Sequence, residues 1–248
     1  MRNTLDIITV TKDDPEGLAA SIASTAKLRS LAGVRQIVID SSSKSIANEI
    51  KARLSVENNL EYVWQNPCGI ARAFNLGIER SNAEWLWFLN GRDEAHPKLN
   101  AELLLQILSA SQAGLIVFEL EWMQSGNRQI HPPIWALWPP IYGNWVPHPA
   151  TLIRSGLFEQ YGGFNPDYKI AMDGDLWFRL FSKHITVDML SIPIVLYDET
   201  GISSIAAVET GKEAKKLILD NLGMMVGMWL SRGLHLARAL RHYILLTR

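Results

Sequence analysis

The sequence predicts an α/β fold with a mostly parallel central sheet flanked by helices. Three observations predict it: short apolar runs alternate with helical periods, the runs are apolar throughout, and polar residues gather just after them. Continuous apolar runs suit strands covered on both faces. Polar clusters at strand ends suit the edge of an open α/β sheet where ligands bind.

The elements follow in order. Leu5 to Thr11 (LDIITVT) reads as a buried strand, and Glu16 to Leu31 as a helix with Leu18, Ile22, Thr25 and Leu28 at helical spacing. Val34 to Asp40 (VRQIVID) is a second strand, followed by SSSKS, which can cap a helix beginning near Ile46. A third strand, Leu60 to Gln65, leads through NPCG into a helix from Ile70 to Arg80. Ala83 to Asn90 (AEWLWFLN) is a fourth strand, and Pro97 is suited to start a helix running to Ala110. Gly114 to Trp122 is the fifth strand. Residues 123–147 have no clear period and contain Pro132, Pro133, Pro139, Pro140 and Pro147, together with Trp135, Trp138 and Trp145. A loop of that length in a compact domain suits an active-site wall, with aromatic faces able to line a groove. Beyond it the sequence predicts a strand at HPATLIR, a helix from Gly156 to Tyr161, the turn GGFNPDYK, a helix starting near Asp173, and two short strands, ITVDML and PIVLYD.

The 248 residues suffice for one large domain, residues 1–208, with a nucleotide-side half to about 122 and a second half from 123 to 208. A tail, 209–248, carries seven Lys and Arg against three Asp and Glu, with the apolar stretch LGMMVGMWL at 222–230. That pattern suits either an interfacial helix on an anionic membrane or a helix packed on the domain. No apolar run reaches the length of a membrane span, and the first residues lack a signal-peptide core. A net charge of −1 argues against a general nucleic-acid binder. The single cysteine, Cys68, excludes an internal disulfide and suits a reducing, cytoplasmic setting.

Chemistry-bearing residues concentrate after the strands. Thr9 and Thr11 belong to the first loop, TVTKDD. Asp40 can bond a ribose or base edge, or cap the next helix. Arg72 and Asn75, three apart near a helix start, can reach a diphosphate or form a solvated face. Asp93, with Glu94 beside it, follows Gly91 and Arg92 and can hold a divalent cation through oxygen ligands, or be an ordinary loop acid. Asp167, Asp173 and Asp175 lie near the Gly162-Gly163 turn. Asp173 and Asp175 are candidate bases, or helix N-terminal acids favoured by the dipole.

These stretches in their order resemble the family 2 glycosyltransferases, whose nucleotide-binding architecture is called GT-A, and the branch used in capsule, exopolysaccharide or lipopolysaccharide assembly. The resemblance covers Leu5 to about Ser204 and rests on IITVTKDDPEGLAASIAS, IVIDSSSKS, NPCGIARAFNLGIERSNAEWLWFLNGRDEAHP and HPATLIRSGLFEQYGGFNPDYKIAMDGDLWFRL. It implies inverting transfer from a nucleotide-diphosphate sugar to a hydroxyl on a glycan or lipid-linked acceptor, at the cytoplasmic face of a membrane. It implies nucleotide contact at Asp40, a GxxxAxNxGI-like stretch at Gly69, Ala73, Asn75, Gly77 and Ile78, and Mn2+ or Mg2+ at Asp93. Asp173 becomes the base, Asp175 its support, and His148 a polar position near acceptor or phosphates. The sequence departs from the family in SSSKS, in AMDGD, which lacks a leading Glu, and in Arg92, where an acid or a glycine is usual. An arginine there can screen the diphosphate and partly replace the cation, or face away. A nucleotidyltransferase and a non-catalytic nucleotide- or partner-binding relative are the alternatives.

Overall fold

The computed structural model describes residues 2–126, 128–129, 146–183, 185–200, 207–221 and 223. The aromatic segment with Trp135, Trp138 and Trp145, and the basic stretch 224–248, lie outside the described residues.

Strands β1 (Leu5–Thr11), β2 (Val34–Asp40), β3 (Leu60–Trp64) and β4 (Trp85–Asn90) run parallel in the order β3-β2-β1-β4. All seven residues of β1 are buried, as its unbroken apolar run requires. Helices α1 (Pro15–Arg29), α2 (Lys44–Leu54) and α3 (Ile70–Arg80) connect them. The two-residue strand β5 (Glu94–Ala95) and helix α4 (Ala101–Ala110) follow. Asn100, rather than Pro97, opens α4: its side chain accepts the Leu103 N–H, and an amide oxygen satisfies a free helix-end donor that proline cannot.

Beyond β4 the sheet becomes mixed. Strand β8 (Thr151–Arg154) lies antiparallel between β4 and β6 (Leu115–Trp122), and the two-residue β7 (Arg128–Gln129) pairs with β6. Strand β9 (Val187–Tyr197) runs parallel to β6 and carries β5 antiparallel on its far side. The two strands expected at ITVDML and PIVLYD are therefore one. The register slips between Val117 and Leu120, and Pro193 sits at that irregularity, where a missing N–H is tolerated.

Because β8 reverses direction twice, β1, β2, β3, β4, β6 and β9 all end on the same edge. One face of the sheet is covered by α3, α5 (Gly156–Tyr161), α6 (Met172–Phe181) and α7 (Ala207–Asp220), through Phe74, Phe158, Trp177 and Leu217. The other face is covered by α4 through Leu104 and Leu108, and by α1 and α2 through Leu18, Ile22 and Ile50. Helix α3 sits close on the sheet because of Gly77: a methyl there would stand 2.3 Å from Ile8 Cγ2.

The first part of the tail packs on the domain. Leu217 of α7 is buried, and a methyl on Gly174 of α6 would lie 2.6 Å from its Cδ2. No helix among the described residues is long and apolar enough to cross a membrane.

Candidate active site

At the common strand edge, the chain leaves β1 through Asp13, whose φ of 53° lies in the left-handed region that Asp tolerates better than most residues. Asp13 N donates to Ser42 Oγ at 2.7 Å, and Asp13 Oδ1 accepts Ser43 N at 2.9 Å, which locks the loops after β1 and β2 together. Asp40 is fully buried. It accepts Ser42 N at 2.8 Å and the Tyr62 hydroxyl at 2.7 Å. The capping alternative for Asp40 fails, since Ser43 occupies the N-cap of α2 and no side chain caps it. Asp40 instead folds the SSS turn at the site's floor.

The loop after β4 joins this group through Asp14. Arg92 Nε donates to Asp14 Oδ2 at 2.6 Å and stands 3.9 Å from Asp198 Oδ2. Asp14 also caps α1 by accepting Gly17 N at 3.1 Å. Gly17 is required, because a methyl there would lie 2.6 Å from the Arg92 stem. Asp93 is buried beneath. Its Oδ2 accepts the backbone and side-chain N–H groups of Asn90 at 2.9 and 3.0 Å, and its Oδ1 accepts Asp198 N at 3.3 Å. Burial raises its pKa to about 7 against these hydrogen bonds. Burial also works against ionised Asp198, but Thr200 and Gln124 outweigh it and hold that carboxyl below the usual range. The sequence reading placed Asp14 only within the TVTKDD loop and missed Asp198. PIVLYD-ET carries the signal, for it ends a buried strand in Asp just as VRQIVID does.

A divalent cation does not fit this donor set. Hard cations need several oxygens with free lone pairs pointing at one place. Asp93 Oδ2 and Asp198 Oδ1 each accept two protein hydrogen bonds, every other carboxylate oxygen of Asp14, Asp93 and Asp198 accepts one, and the Arg92 guanidinium already holds the positive-charge position beside Asp14 and Asp198. Among the described residues no group of three or more His, Cys, Asp or Glu could hold a metal.

The second group of residues lies on the α3–α6 face. Asp173 and Asp175 are in the first turn of α6, both buried, and Asp173 Oδ1 accepts Gly174 N at 2.7 Å. Asp175 pairs with Arg179 at 2.8 Å, and Arg179 also donates to the carbonyls of Tyr161 and Gly163. The loop before α6 is held by α7: Glu213 accepts the backbone N–H groups of Lys169, Ile170 and Ala171 at 2.9, 2.8 and 2.9 Å. Partial burial opposes its charge, yet the three N–H groups prevail and hold its pKa low.

Three expected ligand contacts are corrected by the packing. The Thr9 hydroxyl accepts Gln36 Nε2 at 2.9 Å inside the core, in a buried chain with Thr25, so it cannot meet a ligand. Asn75 clamps Phe164, donating to its carbonyl and accepting its N–H, both at 2.8 Å, and a methyl on Gly163 would stand 2.4 Å from Asn75 Oδ1. His148 is enclosed by Phe74, Phe88 and Phe164 at 5.1–6.2 Å. Burial lowers its pKa to about 4, so it is neutral near pH 7 and no phosphate-binding cation. Thr11 closes β1 beside Gly91, and Arg72 is exposed on the first turn of α3.

Residues 6–179 match the model of Glycosyl transferase family 2. Two uncharacterized glycosyltransferases of Mycobacterium tuberculosis, one from each of two strains, are 28% identical over 209 residues, covering 81% of this chain and 77% of theirs. S. aureus TarS 1-349 in complex with UDP-GlcNAc superposes with a TM-score of 0.63 at 15% identity, over 80% of this chain and 59% of that one. The mannosyltransferase PcManGT from Pyrobaculum calidifontis, in complex with GDP-Man and Mn2+, superposes with a TM-score of 0.66 at 13% identity, over 90% of this chain and 65% of that one. The structural likeness carries the GT-A fold, the family match carries the rest, and the chain belongs to glycosyltransferase family 2.

Proposed function

We propose that this glycosyltransferase moves a sugar from a nucleoside-diphosphate donor to a hydroxyl acceptor with inversion, in cell-surface polysaccharide assembly. The observation that carries the reading is the pairing of an exposed cation with buried acids. Arg92 stands among the strand-end loops, and a buried pair of acids, Asp173 and Asp175, sits at the start of α6. That both TarS and PcManGT were crystallised with nucleotide sugars supports the donor class.

In this reading the acceptor oxygen attacks the anomeric carbon while the bond from that carbon to the diphosphate oxygen breaks. The electron pair leaves with the diphosphate, and the hydroxyl proton passes to Asp173. Asp175, tied to Arg179, keeps the first turn of α6 in place and does not itself take the proton. The Asp40 turn, braced by Tyr62 and Asp13, forms the nucleotide's floor. The basic segment beyond residue 223 supplies a peripheral contact with an anionic membrane carrying the acceptor.

The test is release of nucleoside diphosphate from a panel of UDP-, GDP- and dTDP-sugars, with lipid-linked and free glycan acceptors. Protein-dependent release that Asp173→Asn abolishes supports the reading. A protein that binds none of these donors is a non-catalytic relative.

A further inference from the structure

The end of β4 carries a side chain whose charge is anchored at one atom and open at two. Arg92 bonds Asp14 through Nε alone, and among the described residues neither Nη has a hydrogen-bond partner. The side chain is 57% exposed, so the Nη edge of the fork faces solvent at the strand edge. That fork matches two phosphate oxygens in a way a lysine does not. Gly17 keeps the first turn of α1 clear of the arginine's stem. Thr11 Oγ1 is buried beside Gly91, the residue before Arg92, and among the described residues it too has no partner. A hydroxyl removed from water without a partner is costly, and a phosphate oxygen is an acceptor that would satisfy it.

We propose that Arg92, with the Thr11 hydroxyl beside the preceding glycine, binds the diphosphate of the donor, and that donor binding therefore needs no divalent cation. The inference rests on the nucleotide-sugar reading above and deepens it. A cation held by Asp14 and Asp198 would lie against the guanidinium that already stands 2.6 and 3.9 Å from them, whereas Arg92 is itself charged and in place. Asp14 and Asp198 then act on the guanidinium: they fix its plane with Nε turned inward and the Nη edge outward.

The experiment is isothermal titration of the full chain with UDP, GDP and dTDP, each in EDTA and in Mn2+, repeated for R92Q and R92K. The expected result is one nucleotide bound equally tightly in EDTA and in Mn2+. R92Q should weaken it on the order of tenfold or more, with R92K between, because lysine keeps the charge and loses the fork. Unchanged melting temperatures of the free variants establish that they fold. Binding that appears only with Mn2+ overturns this inference and leaves the glycosyltransferase reading standing. Metal-free binding that R92Q does not weaken overturns Arg92 as the phosphate clamp. No binding of any nucleotide under either condition overturns the donor reading itself, and this inference with it.

Discussion

The two polar groups of the site handle charge in opposite ways. At the end of β4 the carboxylates of Asp14, Asp93 and Asp198 are turned onto protein donors, and what faces solvent is the guanidinium of Arg92. At the start of α6 it is the donors that are matched: Glu213 takes three successive backbone N–H groups of the preceding loop, and Arg179 is claimed by Asp175 and three carbonyls. In the proposed reading the first group meets an anion, and the second, with little positive character left, receives the acceptor's proton. A transferase needs both, because negative charge builds on the leaving group while the acceptor gives up a proton.

The sharpest break in this contrast is Asp173→Asn. It should lower transfer by roughly 10²–10⁴-fold, the range of general-base catalysis, with nucleotide affinity unchanged. Loss of nucleotide binding by the same variant, measured by titration, would merge the two groups into one. Glu213→Gln comes next. It removes the charge facing three N–H groups and should cost about 1–3 kcal/mol of stability, with kcat falling more than the donor KM rises. A melting point that drops while kcat holds would separate α7 from the chemistry. The acid side gives a second reading of the same residue. Its folded-state pKa lies below the ordinary 4.5, so its stabilisation is present above that value and disappears as pH falls through the folded pKa. Glu213→Gln should flatten that limb.

Asn75→Ala removes both bonds of the Phe164 clamp and should cost about 1–3 kcal/mol with nucleotide affinity intact. Weaker nucleotide binding at an unchanged melting point would return Asn75 to the ligand site. The smallest expected effect is Asp93→Asn. Burial raises Asp93 from 3.8 to about 7, so its contribution is full below the lower value and is lost as pH rises through the upper one. The variant should flatten the melting temperature between those limits and match or exceed the parent at pH 8. A steeper profile would show that the ionised form is the stabilised one.

Much of the first group was legible, because each of its parts directly follows a buried run. VRQIVID gives Asp40 and AEWLWFLN gives the Arg92–Asp93 turn, and both loops stand where the alternation of apolar and helical stretches puts them. What was hidden were contacts spanning long stretches of chain. Asp198 meets the β4 loop because β9 pairs with β5, which directly follows that loop, and nothing local announces that pairing. Asn75 reads as a polar residue on a helix's first turns, a position shared by ligand contacts and internal clamps. Its partner Phe164 is 89 residues away, and only the closeness of Gly163 to its amide decides between the two. His148 misled for a similar reason: its three aromatic neighbours come from α3, β4 and the loop before α6. Glu213 was invisible because a charge-rich stretch was weighed for its surface character, while the amides it caps lie more than forty residues earlier.

The seat of α7 carries one more implication. Leu217 rests where Gly174 leaves no side chain, and Glu213 grips the three amides just upstream, so the helix and the turn that carries Asp173 share one set of contacts. Thermodynamic reciprocity then makes them report on each other: to the extent that a bound substrate steadies the turn, it tightens the hold on α7 by the same free energy. Substrate bound at the proposed Asp173 face should therefore slow the exchange of the amides of Lys169, Ile170 and Ala171, where solvent hydrogen can count it without any turnover at all.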